Sequence, residues 1–519
     1  MQARATKTAE PFFELDLKPV DKGARGAAAA LCRQITAAIR DGRLAPGTKL
    51  PPTRRSAKFF GVSRNTSAEI YSSLLMEGLV VTRRGAGTYV ADAATRAPAR
   101  TAPRRQASPD GRLNSFWLRE DVTAALGFWR DQPDVETLHS TPARIDFRPA
   151  IIDARLFPFD TLRRVFTRQL RYLEKRPARY KSPQGNQGNY RLRDAITKHI
   201  SLTRAVACRP DDILITAGAQ QAFDLLARVL VKPNETVVAI EDPGYPPMRV
   251  AFAAAGARMV PVGVDAEGLI IEQLPADVRV ICVCPSHQFP LGVTMSKRRR
   301  QALIEFARER GAVIIEDDYD GEFRYDGNPL AALRSSDVAD VVFYVGTFSK
   351  CMLPSLRLGF IVASEWAMPT LVAAKNSLDW HCSTPVQLGV AGFVSDGSLR
   401  RHVSRLRGVY KGRRQLLLES LQSQFADWLT PIPSSYGMHV TAVARAGLNP
   451  EHIAAELAKA QVHIHSLRRY YSGPQTQQGL VFGYGAVDLP QIRKGLGALR
   501  QVLRPAGARP VGRSATSST

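Results

Sequence analysis

Residues 341–360, VVFYVGTFSKCMLPSLRLGF, determine how the larger part of this chain is interpreted. The apolar, β-branched run VVFYV (341–345) is typical of a buried strand, and Lys350 follows it closely. A lysine at a strand–loop junction in a partly closed site can lose its proton and form a Schiff base with an aldehyde. Taken alone, Lys350 is more often a surface charge. Three neighbours offer hydroxyl and guanidinium groups that suit a phosphate: Thr347, Ser349 and Arg357.

Similar apolar runs occur at intervals before this stretch. They are ILIT (213–216), VVAI (237–240), VRVICVC (278–284) and AVIIE (312–316), with amphipathic segments such as residues 296–310 between several of them. Continuous apolar strands separated by helices predict an α/β fold with a mostly parallel sheet covered on both faces. We therefore expect a large α/β domain over residues 144–377. The pattern weakens from about Leu378, where we expect a smaller α+β domain that ends near residue 505.

Two polar residues follow the predicted strand AVIIE. Asp317 stands at the carboxyl end of this strand, where open α/β sheets bind ligands. A buried carboxylate there can pair with a protonated pyridine nitrogen and preserve the electron-accepting character of the ring. Tyr319, two residues later, can donate to a phenolate oxygen on the same ring. The alternative for Asp317 is a helix N-cap or an ordinary ion pair.

Two further strand ends carry residues suited to a phosphorylated aromatic ligand. Gly218, Ala219 and Gln220 lie between a strand and a helix start, so their backbone N–H groups can hold a phosphate at the positive end of that helix. Tyr245, in EDPGYPP (241–247), can stack on an aromatic ring. As a single tyrosine it is equally often a core residue.

Residues 15–92 have the pattern of a separate N-terminal unit. Leu31, Ile35 and Ile39 have the spacing of one buried helical face, and the loop APGTKLPP (45–52) ends that helix. A second helix over about residues 53–60 ends at Gly61, which suits a helix C-cap. Ser63 suits the N-cap of a third helix, which ends at Gly78. The runs LVVT (79–82) and TYV (88–90) surround a Gly-containing turn and predict a hairpin. Three helices and a hairpin are the elements of a winged helix-turn-helix.

The third helix of this unit has a polar start and an apolar face. Ile70, Leu74 and Leu75 are predicted to pack against the first two helices. Side chains at the beginning of such a helix can reach base edges in the major groove. The residues placed to contact DNA are Arg54 on the second helix, Arg64, Asn65 and Thr66 on the third, and Arg83 and Arg84 on the wing. The alternative is that these arginines are solvated surface charges.

The N-terminal unit closely resembles the GntR family of winged-helix regulators. The matching stretches are LCRQITAAIRDGRLAPGTKLPPTR (31–54), GVSRNT (61–66) and GLVVTRRGAGTYVAD (78–92). The resemblance implies DNA contacts from Arg54, from residues 64–66 and from the wing around Gly87. Pro52 stands where a Ser or Thr is expected before the Thr-Arg pair.

The charge of the chain also favours a polyanionic partner. The formal net charge is +24, and residues 1–95 contribute only +7 of it, from 15 Lys/Arg and 8 Asp/Glu. Nucleic acid is consistent with this excess, although Arg-rich surface without a partner is the alternative. The N-terminal unit alone therefore does not account for the charge.

The motifs of the larger part, in their order along the chain, resemble a fold-type I aminotransferase. They are GAQQ (218–221), EDPGY (241–245), PSHQFPLG (285–292), EDDYD (316–320), TFSK (347–350) and SLRLG (355–359). The resemblance implies pyridoxal 5′-phosphate (PLP) as cofactor, with Lys350 as the Schiff-base lysine, Asp317 at the ring nitrogen, Tyr319 at the ring oxygen, Tyr245 stacked on the ring, and Ser349 and Arg357 at the phosphate. His287 and Gln288 occupy the position where such enzymes usually have an Asn that touches the ring. Arg469, or alternatively Arg468, is the candidate for an effector carboxylate, because Arg binds carboxylates in a bidentate manner.

A GntR-type head joined to an aminotransferase-like domain resembles the MocR subfamily of regulators. The resemblance implies a homodimer, with one subunit's head against the other's cofactor domain, and paired half-sites on double-stranded DNA. It favours a regulator whose aminotransferase-like domain senses PLP or an amino compound. The alternative is an active aminotransferase with an accessory DNA-binding head, because Lys350 and Asp317 are both present.

The remaining segments carry weaker signals. Residues 93–143 contain an Ala-, Pro- and Arg-rich stretch and predict a linker, although SFWLREDVTAALGFWR (115–130) suits a short helix; residues 506–519 predict a disordered tail. The six cysteines form no C-x-x-C pair, so no metal site is expected. The first residues contain no apolar run, and no stretch reaches the roughly 18 to 20 apolar residues of a membrane span. We therefore expect a cytoplasmic protein.

Overall fold

The computed structural model describes residues 27–83, 85–92, 112–127, 144–175, 186–327 and 330–503. The chain divides into two compact units, residues 1–113 and residues 114–519.

The first unit is a winged helix-turn-helix, as predicted. Its elements are α1 (Ala27–Arg40), α2 (Thr53–Phe60), α3 (Arg64–Met76), β1 (Val80–Arg83) and β2 (Gly87–Val90), and the two strands pair antiparallel. Gly61 ends α2 in the left-handed conformation with φ of 67°, a conformation that glycine adopts without steric cost. The Ser63 hydroxyl caps α3 by accepting a hydrogen bond from Thr66 N at 3.0 Å.

The core of this unit follows the predicted helical spacing with one exception. Leu31, Ile35 and Ile39 are buried on α1, and Ile70 and Leu74 are buried on α3. Leu75, which was expected to pack with them, is 41% exposed. It lies one residue, or about 100°, around the helix from Leu74, on the edge of the apolar face.

The second unit contains the remaining helices and strands. They are α4 (Glu120–Leu126), β3 (Ile145–Asp146), α5 (Phe159–Lys175), α6 (Tyr190–Arg204), β4 (Ile213–Thr216), α7 (Ala219–Leu230), β5 (Val237–Asp242), α8 (Pro246–Ala254), β6 (Arg258–Asp265), β7 (Gly268–Leu269), β8 (Val278–Val283), α9 (Lys297–Arg310), β9 (Val313–Asp318), β10 (Val342–Thr347), β11 (Gly359–Val362), α10 (Met368–Leu378), α11 (Thr384–Ser395), α12 (Ser398–Gln424), β12 (Leu429–Pro431), β13 (His439–Ala444), α13 (Pro450–Lys459), β14 (Val462–His463), β15 (His465–Ser466), β16 (Gly479–Gly483) and α14 (Leu489–Leu503).

An eight-stranded sheet forms the centre of this unit. Its strand order is β4-β11-β10-β9-β8-β5-β6-β7. The pairs β10–β9, β9–β8, β8–β5 and β5–β6 are parallel, whereas β11 runs antiparallel to both of its neighbours. The mostly parallel sheet is therefore confirmed, and its parallel strands end at one shared edge.

Three strands of this sheet, β6, β7 and β11, were absent from the sequence prediction. Strand β7 has only two residues, and β6 is buried at only one of its eight positions. Neither therefore shows a long, continuous apolar run, which is the signal that identified the five other strands. Strand β11, GFIV, is apolar and buried throughout, so its signal was present in the sequence and was overlooked.

Helices cover both faces of the sheet. Ile315 of β9 belongs to a core cluster with residues of α7, α8 and α10, and its neighbour Ile314 belongs to a cluster with α9. Successive side chains of a strand point to opposite faces. The parallel strands are therefore buried on both sides, which explains their continuous apolar sequences.

The C-terminal part is α+β, as predicted. A four-stranded antiparallel sheet has the order β12-β13-β16-β15, and it is accompanied by α13 and α14. Strand β3 pairs with β14, and a Cβ added at Gly495 of α14 would lie 2.3 Å from the Phe147 ring. The residues at the start of the predicted large domain thus pack with the smaller, C-terminal lobe.

Part of the predicted linker is helical. Residues Ser115–Leu118 form a 3₁₀ helix, and α4 packs on α8 through Val122, Ala125 and Val250. The rest of the predicted linker lies outside the described residues, apart from a few positions, and so does the predicted tail. Among the helices described, none combines the length and apolar character that a membrane span requires.

Candidate functional site

The shared carboxyl edge of the parallel strands brings the predicted cofactor residues together. Asp317 near the end of β9 lies opposite Val345 of β10 in the sheet register, and Lys350 follows β10 after a short loop. The Lys350 ammonium is close enough to Asp317 and Asp320 for their negative charges to oppose part of the lowering of its pKa that burial causes. Sheet topology alone therefore places an amine beside two carboxyl groups.

Asp317 is a buried carboxyl group with one unused oxygen. Its Oδ2 lies 3.8 Å from Cys284 Sγ, while its Oδ1 has no hydrogen-bond partner among the described residues. Burial, reinforced by the charges of Asp318 and Asp320, raises the pKa of the Asp317 carboxyl to about 8. Asp317 lies within β9 and not at a helix N-terminus, so an N-cap role does not apply. An unused buried acceptor of this kind fits a protonated ring nitrogen.

Lys350 is half-buried, and its ammonium is bonded to the backbone of a distant segment. Its Nζ donates to Ala150 O at 2.7 Å. Burial lowers the pKa of Lys350 to about 8, and the nearby Arg357 guanidinium acts in the same direction. An amine with a lowered pKa loses its proton more readily at neutral pH and is then a nucleophile.

The N-terminus of α7 and the loop after β10 form a cradle for an anion. Gly218 is the N-cap of α7 and has φ of 83°. A Cβ at this position would lie 2.9 Å from Arg357 Nη2, so only glycine leaves this space open. Thr347 Oγ1 and Ser349 Oγ are 2.9 Å apart, and Arg357 Nη2 donates to Ala217 O at 3.0 Å. Backbone N–H groups at a helix start, two hydroxyls and a guanidinium fit a phosphate.

Ala219 and Gln220 occupy the first turn of α7, where backbone N–H groups lack helical acceptors. The Gln220 side chain points elsewhere, since its Nε2 donates to Pro247 O at 3.0 Å. Only the backbone of Gln220 is therefore placed for the predicted phosphate contact.

Tyr245 lies at the N-cap of α8 and is half-buried. Its ring contacts Phe289 edge-on at 5.9 Å and Phe223 at 6.5 Å between centroids. These contacts hold the ring firmly in place. They suit a core role and a stacking role equally.

The two residues at the predicted Asn position have different surroundings. Gln288 Nε2 donates to Glu241 Oε2, Pro243 O and Phe289 O, and its Oε1 accepts from Leu291 N. The Gln288 amide is thus fully used in holding its own loop. It is not free to contact a ring.

His287 instead contacts Tyr319. The His287 Nδ1 lies 2.8 Å from Tyr319 Oη and 3.0 Å from Asp320 Oδ2. Burial lowers the pKa of His287 to about 3, so the imidazole is neutral. Asp320 was missed by the sequence analysis, although it stands within the EDDYD motif.

His439 of β13 completes this polar cluster. Its ring lies 4.6 Å from that of His287, and its Nε2 donates to Pro290 O at 2.8 Å. His287, Asp320 and His439 are close enough to share a cation. However, the short contacts of His287 Nδ1 and the bond from His439 are those of a hydrogen-bond network. No sequence motif predicted His439 as a site residue, because it comes from the C-terminal part of the chain.

Both candidate arginines for an effector carboxylate lie on the 3₁₀ helix Leu467–Tyr470 and are exposed. The neighbouring Tyr470 ring packs on Phe289 at 5.2 Å, and Tyr470 O accepts a hydrogen bond from Gly244 N at 3.1 Å. This helix therefore lies beside the Tyr245 loop. Burial lowers the pKa of the nearby His465, and the charge of Arg469 acts in the same direction.

In the first unit, the predicted DNA-contact residues lie at the starts of α2 and α3 and on the hairpin. Arg54, Arg64 and Asn65 are exposed, whereas Thr66 is half-buried and its hydroxyl is 2.8 Å from Ser63 Oγ. Arg84 lies outside the described residues. Gly87 has φ of 116°, which suits the wing turn.

The wing carries an additional basic and aromatic group. The Arg83 guanidinium lies 4.7 Å from the centre of the Tyr89 ring, and the Lys49 ammonium lies 5.9 Å from it. Sequence analysis missed Lys49 and Tyr89. Lys49 is separated from the hairpin in sequence, and a backbone bridge to Tyr89 brings it there.

The first unit is a winged-helix head, and the second has an aminotransferase-type sheet with a lysine, a carboxyl group and an anion cradle at its edge. Together they define a class of transcriptional regulators. The family of bacterial regulatory proteins called gntR matches residues 27–90, and the aminotransferase class I and II family matches residues 157–476. The chain belongs to the MocR subfamily of GntR-type regulators, in which these two parts are joined.

Named relatives and solved structures agree with both parts. The chain is 34% identical to the probable rhizopine catabolism regulatory protein MocR of Rhizobium meliloti, over 93% of this chain and 96% of that protein. It is 30% identical to the pyridoxine biosynthesis regulator PdxR of Corynebacterium glutamicum, over 89% and 93%. The kynurenine aminotransferase of Pyrococcus horikoshii superposes with a TM-score of 0.64 at 26% identity, over 72% of this chain and 96% of that one. The protein is therefore a transcriptional regulator with an aminotransferase-like domain.

Proposed function

We propose that the second unit binds PLP at the carboxyl edge of its sheet and that the bound cofactor, alone or with an amino compound, controls DNA binding by the winged-helix head. The observation that carries this proposal is the buried, unused Oδ1 of Asp317 beside the lowered-pKa amine of Lys350. The open space at Gly218, which a Cβ would fill, is a second point of fit.

Each part of the cofactor has a candidate partner in the chain. Asp317 would hold the proton of the ring nitrogen, Lys350 would meet the aldehyde, and Tyr319, supported by His287, would donate to the ring oxygen. Tyr245 would stack on the ring. The phosphate would be held by the α7 backbone at Gly218, Ala219 and Gln220 and by Thr347, Ser349 and Arg357. When bound, PLP supplies an aldehyde that reacts with primary amines and a ring that accepts electrons.

The effector and the DNA contacts complete the proposal. Arg469, or Arg468, would bind the carboxylate of an amino compound, since both are exposed beside the Tyr245 loop. Arg54, Arg64, Asn65 and the wing would contact operator DNA, as a homodimer on paired half-sites in the cytoplasm. The effector changes DNA binding only to the extent that it binds one arrangement of the protein better than another.

Borohydride trapping tests the cofactor part of the proposal. Purified protein is incubated with PLP, reduced with borohydride and digested, and the peptides are analysed by mass spectrometry. We expect a pyridoxyl label on Lys350 and a visible absorption band that Lys350→Ala abolishes. Lys297→Ala, which removes an exposed lysine of α9, is the matched control and should retain both signals. Protein without a label on Lys350 would refute the cofactor site.

Footprinting tests the regulatory part. Wild-type protein should protect paired half-sites in the DNA upstream of its own or neighbouring genes, and PLP should change the protection. Arg64→Ala should lose protection while its PLP absorption stays unchanged. Protection by Arg64→Ala equal to that of the wild type would contradict the assignment of the DNA-reading helix.

An active aminotransferase is the second candidate function. The presence of Lys350, Asp317 and Tyr319 in one site favours it. Steady-state assays of amino-group transfer from common amino acids separate the two candidates. Rapid turnover supports the enzyme, whereas PLP-dependent DNA binding without turnover supports the regulator.

A further inference from the structure

The aminotransferase-like unit carries more positive charge than its own site uses. Residues 144–503 contain 46 Lys/Arg and 33 Asp/Glu. The winged-helix head lies outside this range, and the candidate cofactor site needs only a few of these cations. The position of the others on the surface therefore indicates what else this unit binds.

One row of cations follows helix α5. Arg164, Arg168, Arg171 and Lys175 are spaced four, three and four residues apart, and all four are exposed. Residues at this spacing lie on one side of a helix. The helix packs on α11 through a different side, since a Cβ at Gly389 or Gly392 would touch Phe166 or Val165. The row is thus left at the surface by the packing of α5.

A second group of cations stands on the first half of α12. Residues 398–418 contain seven Lys/Arg and no Asp or Glu. Arg400, Arg401 and Arg405 of this helix are exposed. Further along the run, Lys411 and Arg414 pair with Asp326, and Arg413 pairs with Asp153. The three arginines at the start of the helix have no such pair among the described residues.

The two groups meet at Asp396. Arg168 of α5 lies 3.9 Å from the Asp396 carboxylate, and Arg401 of α12 donates to Asp396 O at 3.3 Å. The cations of both helices therefore form one continuous surface. We call it the basic face: Arg164, Arg168, Arg171, Lys175, Arg400, Arg401 and Arg405.

The basic face differs from other arginine-rich surfaces of this unit. On α9, Arg298 is paired with Glu267 at 2.8 Å and Arg308 is paired with Glu305. On the basic face, the contact between Arg168 and Asp396 is the single ion pair found within the described part of the chain. Acidic side chains thus neutralise exposed arginines on α9 and leave those of the basic face available to an external anion.

We propose that the basic face binds the phosphate backbone of duplex DNA, in addition to the contacts made by the winged-helix head. Charge complementarity and the presence of a DNA-reading head in the same chain support DNA as the occupant. The row from Arg164 to Lys175 extends about 16 Å at 1.5 Å per residue. A row of this length can reach more than one phosphate of the same DNA strand.

The salt dependence of DNA binding tests this proposal with the full-length protein. The probe is a random-sequence duplex of about 60 base pairs, so no operator needs to be known. Binding is measured by fluorescence anisotropy at several salt concentrations. The test variant is Arg164→Gln/Arg168→Gln/Arg171→Gln. Each phosphate contact contributes about 0.9 to the slope of log K against log salt, so we expect the slope to fall by about 2 to 3.

A matched control removes the same charge from another surface. Lys297→Gln/Arg298→Gln/Arg308→Gln changes α9 by three charges and should leave the slope within about one contact of the wild type. A slope for the α5 variant equal to that of this control would overturn the proposal. A single-stranded RNA of the same length would also overturn it if the RNA bound as strongly and the α5 variant weakened that binding as much. The basic face would then not be specific for the duplex.

Three further measurements make the result interpretable. Arg400→Gln/Arg401→Gln/Arg405→Gln on α12 should reproduce the lowered slope if the α5 variant does not fold, as judged by circular dichroism. Sedimentation velocity shows whether either variant dissociates the protein, and dissociation without a change in slope would identify the face as a contact between copies. Adding Arg64→Ala should leave the difference between wild-type and variant slopes intact, so the two DNA contacts can fail separately.

Discussion

Replacement of Gly218 by alanine tests the anion cradle directly. Gly218 has φ of 83° and ψ of 174°, a region that is essentially restricted to glycine and costs other residues about 1–3 kcal/mol. The added Cβ would lie 2.9 Å from Arg357 Nη2 and 3.2 Å from Cζ. The backbone cannot move away, because Gly218 itself packs against Gly359 of β11, where a Cβ would lie 2.9 Å from Gly218 C. The Arg357 guanidinium must therefore shift away from the helix start.

We expect PLP to bind Gly218→Ala about 10 to 100 times more weakly. The lower limit corresponds to about 1.4 kcal/mol and the upper limit to about 2.8 kcal/mol, which is about the contribution of one hydrogen bond to a charged group, here the bond lost when Arg357 is displaced. Titration of the apo protein with PLP, followed by visible absorbance, gives the dissociation constant. Circular dichroism checks that the variant remains folded.

Gly311→Ala is the matched control for this experiment. Gly311 also has a positive φ of 59°, but no atom lies within 4 Å of an added Cβ, and it ends α9 away from the cradle. It should cost about 1 kcal/mol of stability and leave PLP binding unchanged. Wild-type affinity in Gly218→Ala would refute the phosphate assignment, as would equal losses in both variants.

Three other predictions concern single side chains. In the apo protein the Asp317 pKa of about 8 lies above the unfolded value, so this group opposes folding increasingly as pH rises from about 4 to 8. In thermal unfolding, Asp317→Asn should therefore gain more stability at pH 8 than at pH 5, and it should lose PLP affinity. A stability difference that does not depend on pH would contradict this. His287→Leu removes the contact to Tyr319 Oη. It should alter the visible absorption of the PLP-loaded protein and the pH dependence of that absorption, which spectrophotometric titration measures. An unchanged spectrum at every pH would exclude a role for His287 at the ring. Ser63→Ala removes the cap of α3, at a cost of about 1 kcal/mol. It should lower the melting temperature of the head and its DNA affinity, while the PLP absorption stays unchanged. A melting temperature equal to that of the wild type would show that the cap contributes nothing.

Sequence reasoning succeeded where the deciding signal is local. The bounds of α2 follow from Pro52 and Gly61, and the parallel strands follow from uninterrupted apolar runs. Lys350 and Asp317 could be placed at one edge because parallel strands end together. Leu75 was assigned to the wrong side, since its position at the edge of the apolar face depends on how α3 packs.

The parts of the site that escaped prediction are contacts between distant segments. Two residues of the smaller lobe contribute to the site. Ala150 O accepts a hydrogen bond from Lys350, and the His439 ring lies close to that of His287. Their partners are 200 and 152 residues away in sequence. No local motif encodes such a pairing, so only the folded chain reveals it.

These distant contacts also indicate how the site can act as a sensor. Several hydrogen bonds join the large sheet to the smaller lobe around the same edge, among them Lys350 Nζ to Ala150 O, His439 Nε2 to Pro290 O, and Ser472 N to Asp242 Oδ1. Any ligand that engages the Lys350 amine removes the first of them. The ligand then changes the free-energy difference between possible arrangements of the large sheet and the smaller lobe. A ligand that bonds to residues of both lobes favours one arrangement. Under the proposed function, a site placed at this junction would couple ligand binding to the relative position of the lobes, whereas a site within either lobe would not.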